Sequence, residues 1–213
     1  MSEIRTDGPD IAEVRLLLAH GAGAPMSSPF LEKISGLLTE RGLQVSRFEF
    51  GYMAARREGG KRRPPPKAEL LIPEYVRTVE ELRRHLPPGQ KLAIGGKSMG
   101  GRVASLAADA LFAEGLISGL VCLGYPFHPP GKPDALRTAH LEKLRCPCLI
   151  VQGERDPFGS RAEVEALRLP RGIHFCWIGN GDHDLGPRGG SGFTRSGNLA
   201  AAADAVTTFC DRL

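Results

Sequence analysis

One serine in this chain sits where its hydroxyl could become a nucleophile. Gly96-Lys97-Ser98-Met99-Gly100 reads G-x-S-x-G. The pentapeptide alone is weak, because it recurs by chance. Its context gives it weight: the apolar run Leu92–Gly95 enters it as a strand and an amphipathic helix leaves it. That helix carries Val103, Leu106, Ala107, Ala110 and Leu111 on one face, a helical stripe at i, i+3, i+4, i+7 and i+8. A sharp strand–turn–helix crossing holds a serine clear of the sheet at a helix N-terminus. There the backbone N–H groups and the dipole favour negative charge.

A serine hydroxyl is a poor nucleophile until a base takes its proton, so a histidine and an acid that orients it are expected downstream. Two loops supply them. After the strand Cys148–Gln152 comes Gly153-Glu154-Arg155-Asp156-Pro157-Phe158, and after Ile173–Ile178 comes Gly179-Asn180-Gly181-Asp182-His183-Asp184. Both follow the carboxyl ends of strands, the edge where open α/β sheets place their sites. His183 is the expected base and Asp156 the expected acid, with Glu154 of the same loop as the fallback. Asp182 and Asp184 flank the histidine, where neighbours point away from it. His85, His140 and His174 read as surface or packing residues, and His128, in Tyr125-Pro126-Phe127-His128, as a possible substrate contact.

The negative charge formed on an attacked carbonyl needs two N–H donors. The amide of Met99, next after the serine, is one. The other is expected from His20-Gly21-Ala22-Gly23, whose small residues let backbone approach a ligand, with Ala22 favoured and Gly23 in reserve. His20 reads as a hydrogen-bonding prop within that loop. Two phosphate motifs are imitated and fail: a P-loop ending in Gly96-Lys97-Ser98 needs glycine where Lys91 stands, and a dinucleotide fingerprint from Gly21 needs it at Met26.

Short β-rich apolar runs alternating with helical patterns must position these residues, which implies a parallel sheet flanked by helices. Val14–Ala19 is the first strand. A helix follows with Ser28 as N-cap, Pro29 at its first position, an apolar stripe of Leu31, Ile34, Leu37 and Leu38, and Gly42 as stop. Val45–Phe50 is the second strand. Residues 51–72, with Gly59-Gly60 and Pro64-Pro65-Pro66, read as an excursion or flap before a helix over Pro73–Leu86. Leu92–Gly95, Leu120–Leu123, Cys148–Gln152 and Ile173–Ile178 complete six strands, and Asn198–Leu213 is a closing helix. Residues 1–213 read as one doubly wound domain.

Of 213 residues, 41% are hydrophobic and 24% charged, ordinary for a chain that buries a core. No apolar run reaches the roughly 18–20 residues of a membrane helix, and Met1–Glu13 reads as neither a signal nor a transit peptide. Five cysteines, several inside apolar runs, fit buried thiols and a reducing cytoplasm. The net charge of +4 is local: Arg56–Lys67 carries six cations against Glu58, and the remainder is nearly neutral. That argues against general nucleic-acid binding.

Together, His20-Gly21-Ala22-Gly23-Ala24-Pro25-Met26, Gly96-Lys97-Ser98-Met99-Gly100-Gly101-Arg102, Gly153-Glu154-Arg155-Asp156-Pro157 and Gly181-Asp182-His183 resemble the small α/β-hydrolases related to dienelactone hydrolases. They are most similar to the predicted-hydrolase branch of that group. The resemblance runs along nearly the whole chain and implies a reduced α/β-hydrolase fold, with six strands in the order 4-3-5-6-7-8 of the usual numbering. About thirteen residues precede the first strand, too few for the two leading strands of full-size members. Serine in place of the dienelactone hydrolase cysteine implies a different substrate.

The expected activity is cleavage of carboxylic esters or thioesters of small molecules through an acyl-Ser98 intermediate, with no metal or organic cofactor. Arg56–Lys67 is read either as a solvated loop or as a flap whose Arg56 and Arg57, joined by Arg188 and Arg195, bind an anionic substrate group. The stretch lacks interleaved aromatics for base stacking, so a nucleic-acid partner ranks last. The alternative of a different class is a catalytically silent scaffold that docks a protein partner through its basic flap. Oligomeric state is left open.

Overall fold

In a computed structural model of the chain, residues 3–57, 59 and 64–213 are described. Their elements run β1 (Ile4–Asp7), β2 (Val14–Ala19), α1 (Pro29–Thr39), β3 (Gln44–Phe48), α2 (Gly51–Arg57), α3 (Ala68–Arg84) and β4 (Lys91–Lys97). They continue with α4 (Met99–Ala113), β5 (Gly119–Leu123), β6 (Cys148–Gly153), α5 (Arg161–Glu165), β7 (Ile173–Ile178) and α6 (Arg195–Cys210). The strands form one sheet in the order β1-β3-β2-β4-β5-β6-β7. Every pairing is parallel except β1 with β3.

The sheet is buried on both faces, which is why its strands read as continuous apolar runs rather than alternations. On one face Leu17, Ile94, Cys122 and Ile150 meet Tyr75 and Val79 of α3 and Val103 and Ala107 of α4. On the other, Leu16, Leu18, Val121 and Val151 meet Leu31, Ile34 and Leu38 of α1 and Ala203 and Val206 of α6. α1 begins as its residues dictate, with Pro29 in the first turn and the Ser28 hydroxyl accepting from the Leu31 amide.

Two expectations are corrected. The sheet has seven strands, not six, because Ile4–Asp7 pairs antiparallel with β3, Ile4 opposite Phe48 and Asp7 opposite Val45. Polar contacts support this edge: Thr6 Oγ1 lies 2.9 Å from Ser46 Oγ, and Arg47 donates to Asp7 at 2.7 Å. A four-residue polar edge strand has no hydrophobic period to find. Residues 51–72 are also not an excursion throughout. Gly51–Arg57 is helical, and α3 begins at Ala68 with Pro73 inside it. Pro73 gives up one intrahelical bond, but the buried series Leu71, Tyr75, Val79 and Leu82 carries the helix through it. Lys61, Arg62 and Arg63 of the basic stretch lie outside the described residues.

The register brings the site's loops together. Ala19 pairs with Gly96, so the segment after β2 lies beside the end of β4. Gly153 pairs with Ile178, so the loops after β6 and β7 leave the sheet side by side.

Candidate active site

Ser98 stands between β4 and α4 with φ 52° and ψ −116°, a conformation that costs a non-glycine residue on the order of 1–3 kcal/mol. Its neighbours hold it there: its N–H donates to the Leu123 carbonyl at 2.9 Å, and its carbonyl accepts from Arg102 at 3.0 Å. The turn fits only because Gly96 and Gly100 lack side chains. A Cβ on Gly100 would lie 2.5 Å from the carbonyl oxygens of both Ala19 and His20.

His183 reaches Ser98 from the loop after β7, with Nε2 at 2.9 Å from Ser98 Oγ. Its Nδ1 lies 2.8 Å from Asp156 Oδ2. A carboxylate only accepts, so Nδ1 carries the proton and Nε2 presents its lone pair to the serine hydroxyl. Asp156 is fully buried while His183 is partly open to solvent. Phe158 covers the imidazole, with ring centroids 4.3 Å apart.

Residues the sequence reading missed hold this chain in place. Gln152, buried at the end of β6, donates through Nε2 to Asp156 Oδ2 at 3.0 Å and to the Gly159 carbonyl at 3.1 Å. Its Oε1 accepts from the Tyr125 amide at 2.7 Å. The Phe158 amide binds the other Asp156 oxygen at 2.8 Å, so both carboxylate oxygens are fixed. The one available signal was an amide in an otherwise apolar strand. The histidine loop is stiffened by Asp182, whose Oδ1 accepts from the Asp184 and Gly186 amides. Asn198 Nδ2 anchors it through the Leu185 carbonyl at 2.8 Å.

The loop after β2 is tied down by His20. Its Nε2 accepts from the Phe50 amide at 3.1 Å, which leaves Nδ1–H to donate to the Gly21 carbonyl at 2.6 Å. The Tyr52 hydroxyl donates to the Ala22 carbonyl at 3.0 Å. In trans peptides N–H points opposite C=O, so the Ala22 and Gly23 amides are turned away from these two rings. Ala22 and Gly23 line a cavity of about 470 Å³ with Ser98, Phe30, Phe158 and Arg195. Met99 is the first residue of α4, where backbone N–H groups have no helical partner.

Burial pushes the His20 pKa down to about 4 from 6.5. The unfolded chain therefore takes up this proton near pH 6.5, whereas the folded chain resists until about 4. Stability is lost as pH falls through that window, by about 3 kcal/mol from this residue. Urea unfolding at pH 7 and pH 4.5 should show a loss in the wild type that exceeds the loss in His20→Gln by about this amount. His140, also lowered to about 4 by burial, contributes the same slope to both proteins. Equal losses in the two would assign the acid sensitivity elsewhere.

Apart from Arg195, the remaining expected contacts do not line this cavity. His128 is buried against a different cavity of about 350 Å³, with Phe127, Asp134 and Glu163. Its Nδ1 donates to the Pro129 carbonyl. Arg57 pairs with Glu49 and Glu3, tying α2 to the residue after β3 and to the N-terminal segment, and Arg56 lies over the Tyr52 ring. The Arg188 side chain is exposed, and its amide binds Asn180 Oδ1. Of the arginines considered, Arg195 is the one that lines the Ser98 cavity. Glu154, the fallback acid, instead accepts from the Asn180 amide and pairs with Arg161.

A parallel sheet whose carboxyl edge carries a strained serine, a histidine and a buried aspartate in hydrogen-bonded series defines the architectural class of the α/β-hydrolases. Residues 12–211 match the alpha/beta hydrolase domain family, and the chain belongs to it. Among solved structures, it superposes on dienelactone hydrolase from Anabaena variabilis with a TM-score of 0.73 and 22% identity, over 99% of this chain and 91% of that one. An alpha-beta serine hydrolase homologue from Coxiella burnetii gives 0.73 and 16%, over 97% and 90%. Est1E from Butyrivibrio proteoclasticus, solved with ferulic acid bound, gives 0.69 and 16%, over 99% and 94%. At these identities the likeness is one of fold.

Proposed function

We propose that this protein is a serine hydrolase that cleaves esters or thioesters of small molecules through an acyl-Ser98 intermediate. The observation that carries the reading is the unbroken series Ser98 Oγ–His183–Asp156, at 2.9 and 2.8 Å. His183 Nε2 takes the hydroxyl proton as Ser98 attacks the carbonyl, then delivers it to the leaving oxygen or sulfur. Water repeats the cycle to release the acid. Asp156 keeps the histidine in its Nδ1–H form and stabilises the imidazolium. The Met99 amide, with that of Ala22 or Gly23, receives the oxyanion, a task in which each donor contributes about 10²–10³-fold.

The cavity has room for a small acyl or alcohol group against Phe30 and Phe158. The ferulic acid in the Butyrivibrio structure makes aromatic esters a sensible first set to assay. Arg195 at this cavity supports substrates with an anionic group, in place of the expected Arg56, Arg57 and Arg188. The docking-module alternative has less support, because Arg57 already directs its charge to Glu49 and Glu3. The five cysteines are free thiols, and among the described residues no helix is long and apolar enough to cross a membrane. We assign the enzyme to a reducing cytoplasm.

The test is intact-mass analysis after exposure to a fluorophosphonate. One adduct on the wild type and none on Ser98→Ala is the expected result. A folded wild type that stays unmodified overturns the reading.

A further inference from the structure

The residue between Gly96 and Ser98 is a lysine, and its side chain does not point into solvent. Lys97 is 7% exposed. A buried ammonium is costly unless its donors are satisfied, and here three partners surround it. Nζ donates to the His183 backbone carbonyl at 2.8 Å. It pairs with Asp184 Oδ1 at 3.2 Å. It also lies over the Phe30 ring, 5.3 Å from the centroid, within cation–π range. The ammonium is thus satisfied by its own surroundings, at the wall of the Ser98 cavity that Lys97 helps to line.

The lysine and the imidazole converge on one point. Gly124, which follows β5 with φ 65°, has no side chain. A Cβ there would lie 3.1 Å from Lys97 Nζ, 2.9 Å from the His183 carbonyl and 3.4 Å from His183 Nδ1. The ammonium and the imidazole thus lie within a few ångströms of one point, close enough for the charge on Lys97 to act on the ring.

We infer that Lys97 is a positioning residue for His183, which ties the histidine loop to the strand that carries the nucleophile and sets a cation beside the imidazole. The inference rests on the serine-hydrolase reading for its consequence on rate, but its electrostatic part stands on geometry alone.

The groups facing His183 set the sign. Asp156 comes from the loop after β6, Asp182 and Asp184 from its own loop, and Lys97 from β4. Arg155 holds Asn180 in the histidine loop, Glu154 accepts from the Asn180 amide, and Arg195 lines the cavity. Burial lowers the proton affinity of Lys97, while Asp184, Asp156 and Asp182 oppose that and favour its charged form. Without Lys97, Asp156 at the imidazole and the carboxylates of the histidine loop have less to balance them, and the imidazolium becomes easier to form. Without the Asp184 charge, the cation is less balanced and the imidazolium becomes harder to form.

The experiment compares full-length wild type, Lys97→Met, Lys97→Arg and Asp184→Asn. It reads the fluorophosphonate labelling rate from pH 5 to 9 and the NMR titration of the His183 ring, with circular dichroism as the check on folding. For Lys97→Met, labelling at pH 7 should fall about tenfold and the acidic limb should move up by about one pH unit. Asp184→Asn, altered at an exposed carboxylate and expected to fold, should move the limb down. Lys97→Arg should keep the limb near its wild-type place. A rate loss in Lys97→Met with an unmoved limb would reduce Lys97 to packing and overturn the inference. So would limbs that move in the same direction in Lys97→Met and Asp184→Asn. If Lys97→Met fails to fold, the direction in Asp184→Asn decides. Should the wild type resist labelling, the hydrolase reading fails, while opposite shifts of the His183 ring titration would still uphold the electrostatic role of Lys97.

Discussion

Replacing Asp156 by asparagine should lower ester hydrolysis by about 10³–10⁴-fold while the protein stays folded. The reason lies in how fully the carboxylate is used. Oδ2 receives the His183 and Gln152 donors, and Oδ1 receives the Phe158 amide. Asparagine offers one acceptor where two are needed. With its NH₂ toward His183, it meets the Gln152 donor and forces the imidazole to accept at Nδ1. The ring proton then moves to Nε2, which can no longer take the proton of Ser98. With its NH₂ reversed, it faces the Phe158 N–H instead. The first arrangement breaks the series, and the second keeps it but loses the Phe158 bond and the negative charge that stabilises the imidazolium. Steady-state hydrolysis of a p-nitrophenyl ester, beside circular dichroism, measures the effect. Glu154→Gln, altered at a carboxylate bound to the Asn180 amide and Arg161, should stay within a few-fold of wild type. The reverse pattern would move the acid role to Glu154.

A large loss of stability is expected of Gly100→Ala. Its new methyl would stand 2.5 Å from two backbone carbonyl oxygens, those of Ala19 and His20. Backbone of a central strand cannot yield as a flexible side chain would, so either α4 moves off the sheet or β2 bends at the loop it carries. A cost of about 3 kcal/mol or more is expected, seen as a fall in Tm of roughly 10 °C for a chain of this size. Loss of fluorophosphonate labelling should accompany it, because the same shift displaces Ser98. Gly36→Ala is the matched control. Gly36 lies within α1 with nothing near its would-be Cβ, so alanine there should add about 0.5–1 kcal/mol. If Gly100→Ala melts with the wild type, the close crossing of α4 over β2 is wrong.

The residues of the proposed series could be named from sequence for a specific reason. The serine needs two flanking glycines and a strand-to-helix crossing, and the acid and base each follow an apolar strand. These are local patterns with a short period. The strands from Val14 to Ile178 were legible for the same reason: burial on both faces makes them continuous apolar runs. What escaped was whatever depends on contacts distant in the chain. β1 is polar and is recognisable only beside β3. α3 runs through Pro73 because its buried face outweighs one lost bond. Arg56, Arg57 and Arg188 share the charge an anion-binding site would need, but where a flexible cation points is fixed by its neighbours, and those of Arg57 are Glu49 and Glu3.

The sequence by itself located the strands from β2 onward and singled out Ser98, Asp156 and His183 as the residues of the proposed series, since local periodicity and turn chemistry encode both. Tertiary structure alone decided what surrounds them: Gln152 holding Asp156, His20 turning the Ala22 loop, and Lys97 reaching across to the carbonyl of His183. The bonds that fix them span 4 residues for Gln152 and Asp156, 30 for both His20 with Phe50 and Tyr52 with Ala22, and 86 for Lys97 and His183. The first pair is near in sequence, yet strand alternation and loop conformation decide whether it meets. The last exists only because the sheet register sets the ends of β4 and β7 on one edge.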